Sequence, residues 1–404
     1  MLKVMDSPDV AALLNELTTP AGREDPYPRY ERLRAISPVV RAGDGALVVT
    51  RHADCTTVVR DPRLGQLPPD ALAKAGYPDW AEHPALRLLF TSLLMLNPPD
   101  HTRLRRLVSG TFTARRVEAL RPAIARMAND LLDGMTGTAD FVTAFAFPLP
   151  VNVIGELLGV PLADRTQFQT LVRDWTQVLD ALTPGALRAA DAAATTIRGY
   201  LARLAADRRR NPGTDLLSAL VAAEEEGSQL SEDELLTTTA LLFAAGFETT
   251  TNLLANSLLA LLRNPGQLRL LREQPDLARP AVEELLRFDS PVQIVSRITT
   301  APVELGGLTV PAGEHVVAYL GAGNRDPGRF TDPHRLDLGR EDNAPLSFGG
   351  GSHYCLGAPL ARLEAQLALP ALLRRFPHLS LTGEPERRDS LSIRGFTRLP
   401  VAAG

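Results

Sequence analysis

The chain has 404 residues, 45% of them hydrophobic and 22% charged, with a formal net charge of −4. That length and apolar share suffice for a large core, and the small net charge gives no reason to expect a nucleic-acid partner. Its two cysteines, Cys55 and Cys355, are too few for a disulfide framework or a four-thiolate metal site. No run of about 18 apolar residues crosses a membrane, and no charged leader precedes an apolar stretch. A cytoplasmic protein without membrane contact is expected.

The first fifty residues predict a short helix over Tyr27–Ala35 and a strand at Ala46–Thr50. From Pro62 to Pro99 prolines recur with few periodic stretches, which reads as a long irregular connection, of a kind that is usually functional or disordered. Helix is expected from Asp100 to Asp133, then an apolar stretch from Phe141 to Leu158. Two helices follow, Asp164–Leu182 and Pro184–Asp207, broken at Thr183-Pro184-Gly185. The longest helix starts at Ser231, where Ser231 and Glu234 form a capping box, and ends at Asn264-Pro265. At 1.5 Å per residue it measures roughly 48 Å, long enough to cross a domain. β character dominates only after Pro291, at Ile294–Thr300, Val303–Leu305 and His315–Leu320. With no repeat or composition break, the expected class is mainly α with small β-sheets, one domain over residues 1–404.

The chemistry concentrates in Phe348-Gly349-Gly350-Gly351-Ser352-His353-Tyr354-Cys355-Leu356-Gly357. A cysteine where a glycine-rich loop enters a helix meets backbone N–H groups and the positive end of the dipole, both of which favour a thiolate. The glycines let such a loop lie close against a flat ligand. The pattern Phe-Gly-x-Gly-x-His-x-Cys-x-Gly resembles the haem-ligand loop of the cytochromes P450, with Cys355 as the axial ligand of the iron. Phe348, His353 and Gly357 would be further haem contacts.

Three more stretches fit that resemblance in the family's order. Ala245-Gly246-Phe247-Glu248-Thr249 looks like its oxygen-activation helix. There Ala245 and Gly246 would let the haem approach, a loosened turn would admit O2, and Glu248 with Thr249 would relay protons. Glu284-Leu285-Leu286-Arg287 is Glu-x-x-Arg, one helix face, and Thr331–Asp337 resembles the segment supplying its third partner, Arg335. His101, Arg105, Arg297 and His353 would hold the haem propionates. By family position Phe90, Leu94, Leu241, Ala244, Val292, Gln293, Ile294 and Phe396 would line an apolar substrate pocket.

The resemblance thus implies the P450 fold, a triangular helical domain crossed by one long helix. It implies haem b, O2 as co-substrate, and a monooxygenase that hydroxylates or epoxidises an apolar metabolite such as a polyketide, peptide or terpene. Electrons would come from NAD(P)H through a reductase and a ferredoxin docking near Arg103, Arg106, Arg115 and Arg116. The alternatives are a peroxygenase using H2O2 and a non-catalytic haem-binding protein. The intact Glu248/Thr249 pair speaks against both.

Overall fold

The computed structural model describes residues 7–68, 70–74, 76–179, 183–225 and 228–403. The helices that position the site are α1 (Tyr27–Ile36), α2 (His52–Arg60), α3 (Pro84–Phe90), α4 (Asp100–Thr111), α5 (Ala114–Ala119) and α6 (Arg121–Gly134). They continue with α7 (Pro148–Leu158), α8 (Leu162–Thr176), α9 (Pro184–Arg210), α10 (Glu232–Arg263), α11 (Ala278–Phe288) and α12 (Ala358–Arg375). The helix expected over 100–133 is three helices, because Thr113 caps a new start and Pro122 begins another. The predicted end of α8 at Leu182 lies outside the described residues.

Strands β1 (Val39–Arg41), β2 (Leu47–Val49), β3 (Leu64–Gly65), β5 (Ile294–Thr299) and β8 (His315–Tyr319) form a five-stranded sheet in the order β1-β2-β8-β5-β3, while β6 (Val303–Leu305) and β7 (Leu308–Val310) pair as a separate hairpin. Strand β2 runs parallel to β8, with Val48 opposite Val317, and the other pairs are antiparallel. Both faces of this sheet are covered: Leu47 and Val49 pack with α2, while Val48 packs with the N-terminal helices. That explains the unbroken apolar run in the sequence. Strand β4 (Gly137–Asp140) pairs with a C-terminal strand, Pro400–Ala403. A hairpin joins Glu386–Arg387 to Phe396–Arg398.

α10 is the axis of the main core. Its capping box is formed, Ser231 accepting from the Glu234 amide and Glu234 from the Ser231 amide. It is buried by α7, α9, α11 and α12. Ile154 of α7 occupies the space a Cβ on Gly246 would need, 2.9 Å away. The absent side chain of Gly246 therefore also serves helix packing, beside the expected approach of a ligand on its accessible side.

Candidate active site

Cys355 stands where the loop 348–357 turns into α12, and its N–H donates to the Phe348 carbonyl at 3.0 Å. Gly349 and Gly351 adopt φ of +66° and +62°, a region that side chains disfavour. A Cβ on Gly351 would meet the Val59 carbonyl at 2.9 Å, so that glycine presses the loop onto α2. A Cβ would find open space at Gly349 and only the Cys355 sulfur, at 3.9 Å, at Gly357, which narrows the flat-ligand expectation to these two glycines. Arg105 donates to the Tyr354 carbonyl at 2.6 Å, and Arg362 donates to the Tyr354 hydroxyl while lying 4.4 Å over the Phe348 ring.

Burial pushes the Cys355 thiol pKa up, while the Gly357 amide, the Arg105 charge, the Ala358 amide and the Arg362 charge pull it down. Burial is the largest of these effects, and the two amides act as expected, toward the thiolate. A bound metal ion would add to them.

Beside the loop lie four basic side chains. The His101 and His353 rings are 4.0 Å apart, centroid to centroid. His101 is 1% exposed and neither of its ring nitrogens has a partner. Burial, with the nearby His101, Arg297 and Arg105, lowers the His353 pKa to about 3. Arg297 is buried, its Nη1 donating to Gln66 Oε1 at 3.1 Å, and burial lowers its pKa to about 10. Among the described residues no carboxylate pairs with any of the four. Arg297 is a buried cation without a counter-charge, which is costly, and with Arg105 and the two imidazoles it fits a dianionic ligand such as the two propionates of haem.

On α10, Leu241, Leu242, Ala245, Gly246 and Thr249 are the residues of its middle turns that escape full burial, and Ala245 is exposed. They follow a spacing of four, hence one stripe facing a hollow. Ala244 is off that stripe, buried in the main core. The helix is unbroken from Glu232 to Arg263, with no loosened turn. Thr249 Oγ1 donates to the Ala245 carbonyl at 3.0 Å. Glu248 is buried and accepts at Oε1 from Arg388 Nη2 at 2.6 Å. Arg388 was not foreseen, since nothing local links it to residue 248.

Of the expected pocket residues, Phe90, Leu241, Val292 and Ile294 are half-buried and Leu94 is 43% exposed. Gln293 and Phe396 are not available. Gln293 points the other way along an extended segment and accepts from the Tyr30 hydroxyl at 3.1 Å. Phe396 is 2% exposed with the Arg387 guanidinium 4.0 Å over its ring. Ile393, bridged to Val292 and half-buried, is the residue that this turn offers instead.

Glu284 and Arg287 are fully buried and paired twice, at 2.7 and 2.8 Å. The third partner is Arg340, whose Nε lies 3.2 Å from Glu284 Oε2. Arg335 turns its side chain outward to Asp337 and contributes only its carbonyl to Arg287. Arg287 also donates to the Asn324 carbonyl, and the Asn324 side chain accepts from the Leu346 amide and donates to Ser347. The pair thereby anchors the chain just before the cysteine loop. Among the docking candidates, Arg103 is committed to an ion pair with Glu234 of α10, so it is withdrawn from that role. Arg116 donates to the Thr214 carbonyl, while Arg106 and Arg115 are exposed.

A long buried helix facing a hollow, a cysteine at the entry to α12 and a basic cluster closed by no acid define a haem-thiolate protein. The family model "Cytochrome P450" matches residues 72–402. Cytochrome P450 107B1 of Saccharopolyspora erythraea is 43% identical, over 94% of this chain and 96% of its own. The cytochrome P450 monooxygenase PikC of Streptomyces venezuelae is 42% identical, over 93% and 91%. The solved structure of PksS, a P450 of the Bacillus subtilis 168 bacillaene polyketide synthase, superposes with a TM-score of 0.86 at 36% identity, covering 96% of this chain and 99% of that one. The chain belongs to the cytochrome P450 family and is a bacterial P450 oxidoreductase. Among the described residues no helix is long and apolar enough to cross a membrane.

Proposed function

We propose that this P450 inserts one oxygen atom from O2 into an apolar bacterial metabolite, by hydroxylation or epoxidation, in the cytoplasm. The observation that carries this is the cysteine loop set beside four basic side chains with no acid among them. His101, Arg105, Arg297 and His353 would hold the two propionates of haem b, and Cys355 its iron. A thiolate-ligated haem, when bound, pushes electron density to the iron and favours O–O cleavage. The amides of Gly357 and Ala358 hydrogen-bond to the Cys355 sulfur and would tune it as a ligand. Glu248 would feed protons to the Thr249 hydroxyl, which lies on the stripe that faces the hollow at Ala245.

Phe90, Leu94, Leu241, Val292, Ile294 and Ile393 supply apolar walls that suit a sizeable apolar substrate. The polyketide setting in the name of PksS supports that class. Electrons would come from NAD(P)H through a ferredoxin and its reductase. A groove of about 330 Å³ beside the start of α12, lined by Val117, Glu118, Arg121, Arg279, Arg362 and Gln366, supports docking of an acidic carrier. Charge reversal of the exposed Arg115 should slow reduction by ferredoxin and spare peroxide-driven turnover. The deciding experiment supplies 18O2, NAD(P)H, a surrogate ferredoxin and candidate metabolites to the haem-loaded protein. One labelled oxygen per product is expected. A protein that takes up no hemin, or product without label, would end this reading.

A further inference from the structure

Along the apolar α10, Glu248, Asn252 and Asn256 recur every fourth residue and all are buried. Each meets the C-terminal segment 386–396. Arg388 Nη2 donates to Glu248 at 2.6 Å, while Arg388 Nε is buried without a partner. A Cβ on Gly395 would fall 1.7 Å from Asn252 Oδ1, so the hairpin lies directly on the helix. Asn256 Nδ2 donates to the carbonyls of Arg394 (3.1 Å) and Asp289 (3.2 Å). The Arg388 amide donates to the Gly395 carbonyl at 3.2 Å, which fixes the arginine to its own hairpin.

The Glu248 side chain is only 7% exposed. A charge-assisted bond of that length holds a carboxylate in one place. Thr249 is the next residue and therefore about 100° further round the helix, on the stripe that faces the hollow. The acid and the alcohol do not touch in this arrangement, because each has another partner. The hairpin also reaches the pocket side: Ile393 is bridged to Val292, and the Gln293 amide donates to the Ser392 carbonyl at 2.9 Å. Pressure on Ile393 from a bound molecule thus acts on the strand pair that carries Arg388.

We propose that Arg388 is a positioning residue that holds Glu248 on the hairpin side of α10, and that displacing the hairpin from the pocket side releases the acid toward Thr249. The inference rests on the proton-donor reading of Glu248 given above. The step is proton transfer alone: freed of Arg388, the Glu248 carboxylate takes a proton from solvent hydronium, its O–H then breaks as Thr249 Oγ1 accepts that proton, and the Thr249 hydroxyl proton passes to O2 that NAD(P)H has reduced. NAD(P)H supplies every electron.

The test needs no identified substrate. Haem-loaded protein with NAD(P)H, a surrogate ferredoxin and its reductase divides O2 between H2O2, at two electrons and two protons, and water, at four of each. Arg388→Gln frees the acid and is expected to lower H2O2 per NAD(P)H at least threefold. Arg388→Lys should restore the parent ratio, and Arg388→Gln should change nothing in a Glu248→Gln background. Hydrogen–deuterium exchange of amides 386–396 should quicken in both single Gln variants. An unchanged ratio in Arg388→Gln, or an equal change in the Glu248→Gln background, overturns the coupling. A parent-like ratio in Glu248→Gln alone overturns the proton-donor reading beneath it.

Discussion

Two buried basic clusters sit in this molecule, and they are built to opposite rules. Around Asp289 the charges are closed. Arg394 Nε lies 2.6 Å from its carboxylate, the Tyr27 hydroxyl donates to it at 2.6 Å, and Arg387 is 3.7 Å away. Arg325 stacks 3.5 Å over Tyr27 and donates to the Phe288 carbonyl. Burial pushes the Asp289 carboxyl up, but Arg394, Arg387 and the Tyr27 hydrogen bond bring it down to about 2. Around His101 and Arg297 the charges are open, and burial depresses both residues with no acid to offset it. One cluster is complete in the protein; the other is completed only by a ligand that brings negative charge.

The comparison breaks most visibly at Asp289. Asp289→Asn leaves buried guanidinium groups uncompensated and should cost about 3–5 kcal/mol in chemical denaturation, with or without haem. The pH dependence follows with a fixed sign. A carboxylate whose folded pKa lies below its unfolded value stabilises above about pH 4, and that contribution fades as pH falls through about 2. The variant should lose this slope in denaturation curves taken between those values.

Arg297→Leu tests the open cluster and should act in opposite directions on the two forms. Haem-free protein should be unchanged or slightly more stable, since a buried, unpaired cation is gone. Haem retention in a transfer assay to apomyoglobin should weaken by about 10- to 100-fold, the equivalent of one charged hydrogen bond of about 1.5–3 kcal/mol. Equal destabilisation of both forms would mean that the cluster is structural and not a ligand site. The smallest effect belongs to Arg335→Ala, which should leave the denaturation midpoint in place, whereas Arg340→Ala should lower it, because only Arg340 reaches Glu284.

Features with a local rule were legible in the sequence. The capping box at Ser231, the Glu-x-x-Arg face and the cysteine loop each depend on fixed spacings, and each formed. His101 and Arg105 are four apart on α4, so their shared face was readable. Their meeting with Arg297 and His353 came from the family resemblance alone. Where the chain is irregular, spacing carries no direction: nothing in residues 331–340 says that Arg335 turns out and Arg340 turns in. Alternation along an extended segment explains why Val292 and Ile294 share a side that Gln293 does not. Long-range partners were invisible. Arg388 meets Glu248, and Gly395 meets Asn252, only because the hairpin folds back onto α10. Strand β4 also escaped notice, since Gly137-Thr138-Ala139-Asp140 alternates nothing.

The sheets tie early chain to late chain. Val48 lies beside Val317, and Ala139 faces Val401. On a ribosome, neither edge can find its partner until almost the whole protein has emerged. Helices can pair among themselves as they appear, but the sheets close only late, and the slow search for these distant strands sets their pace.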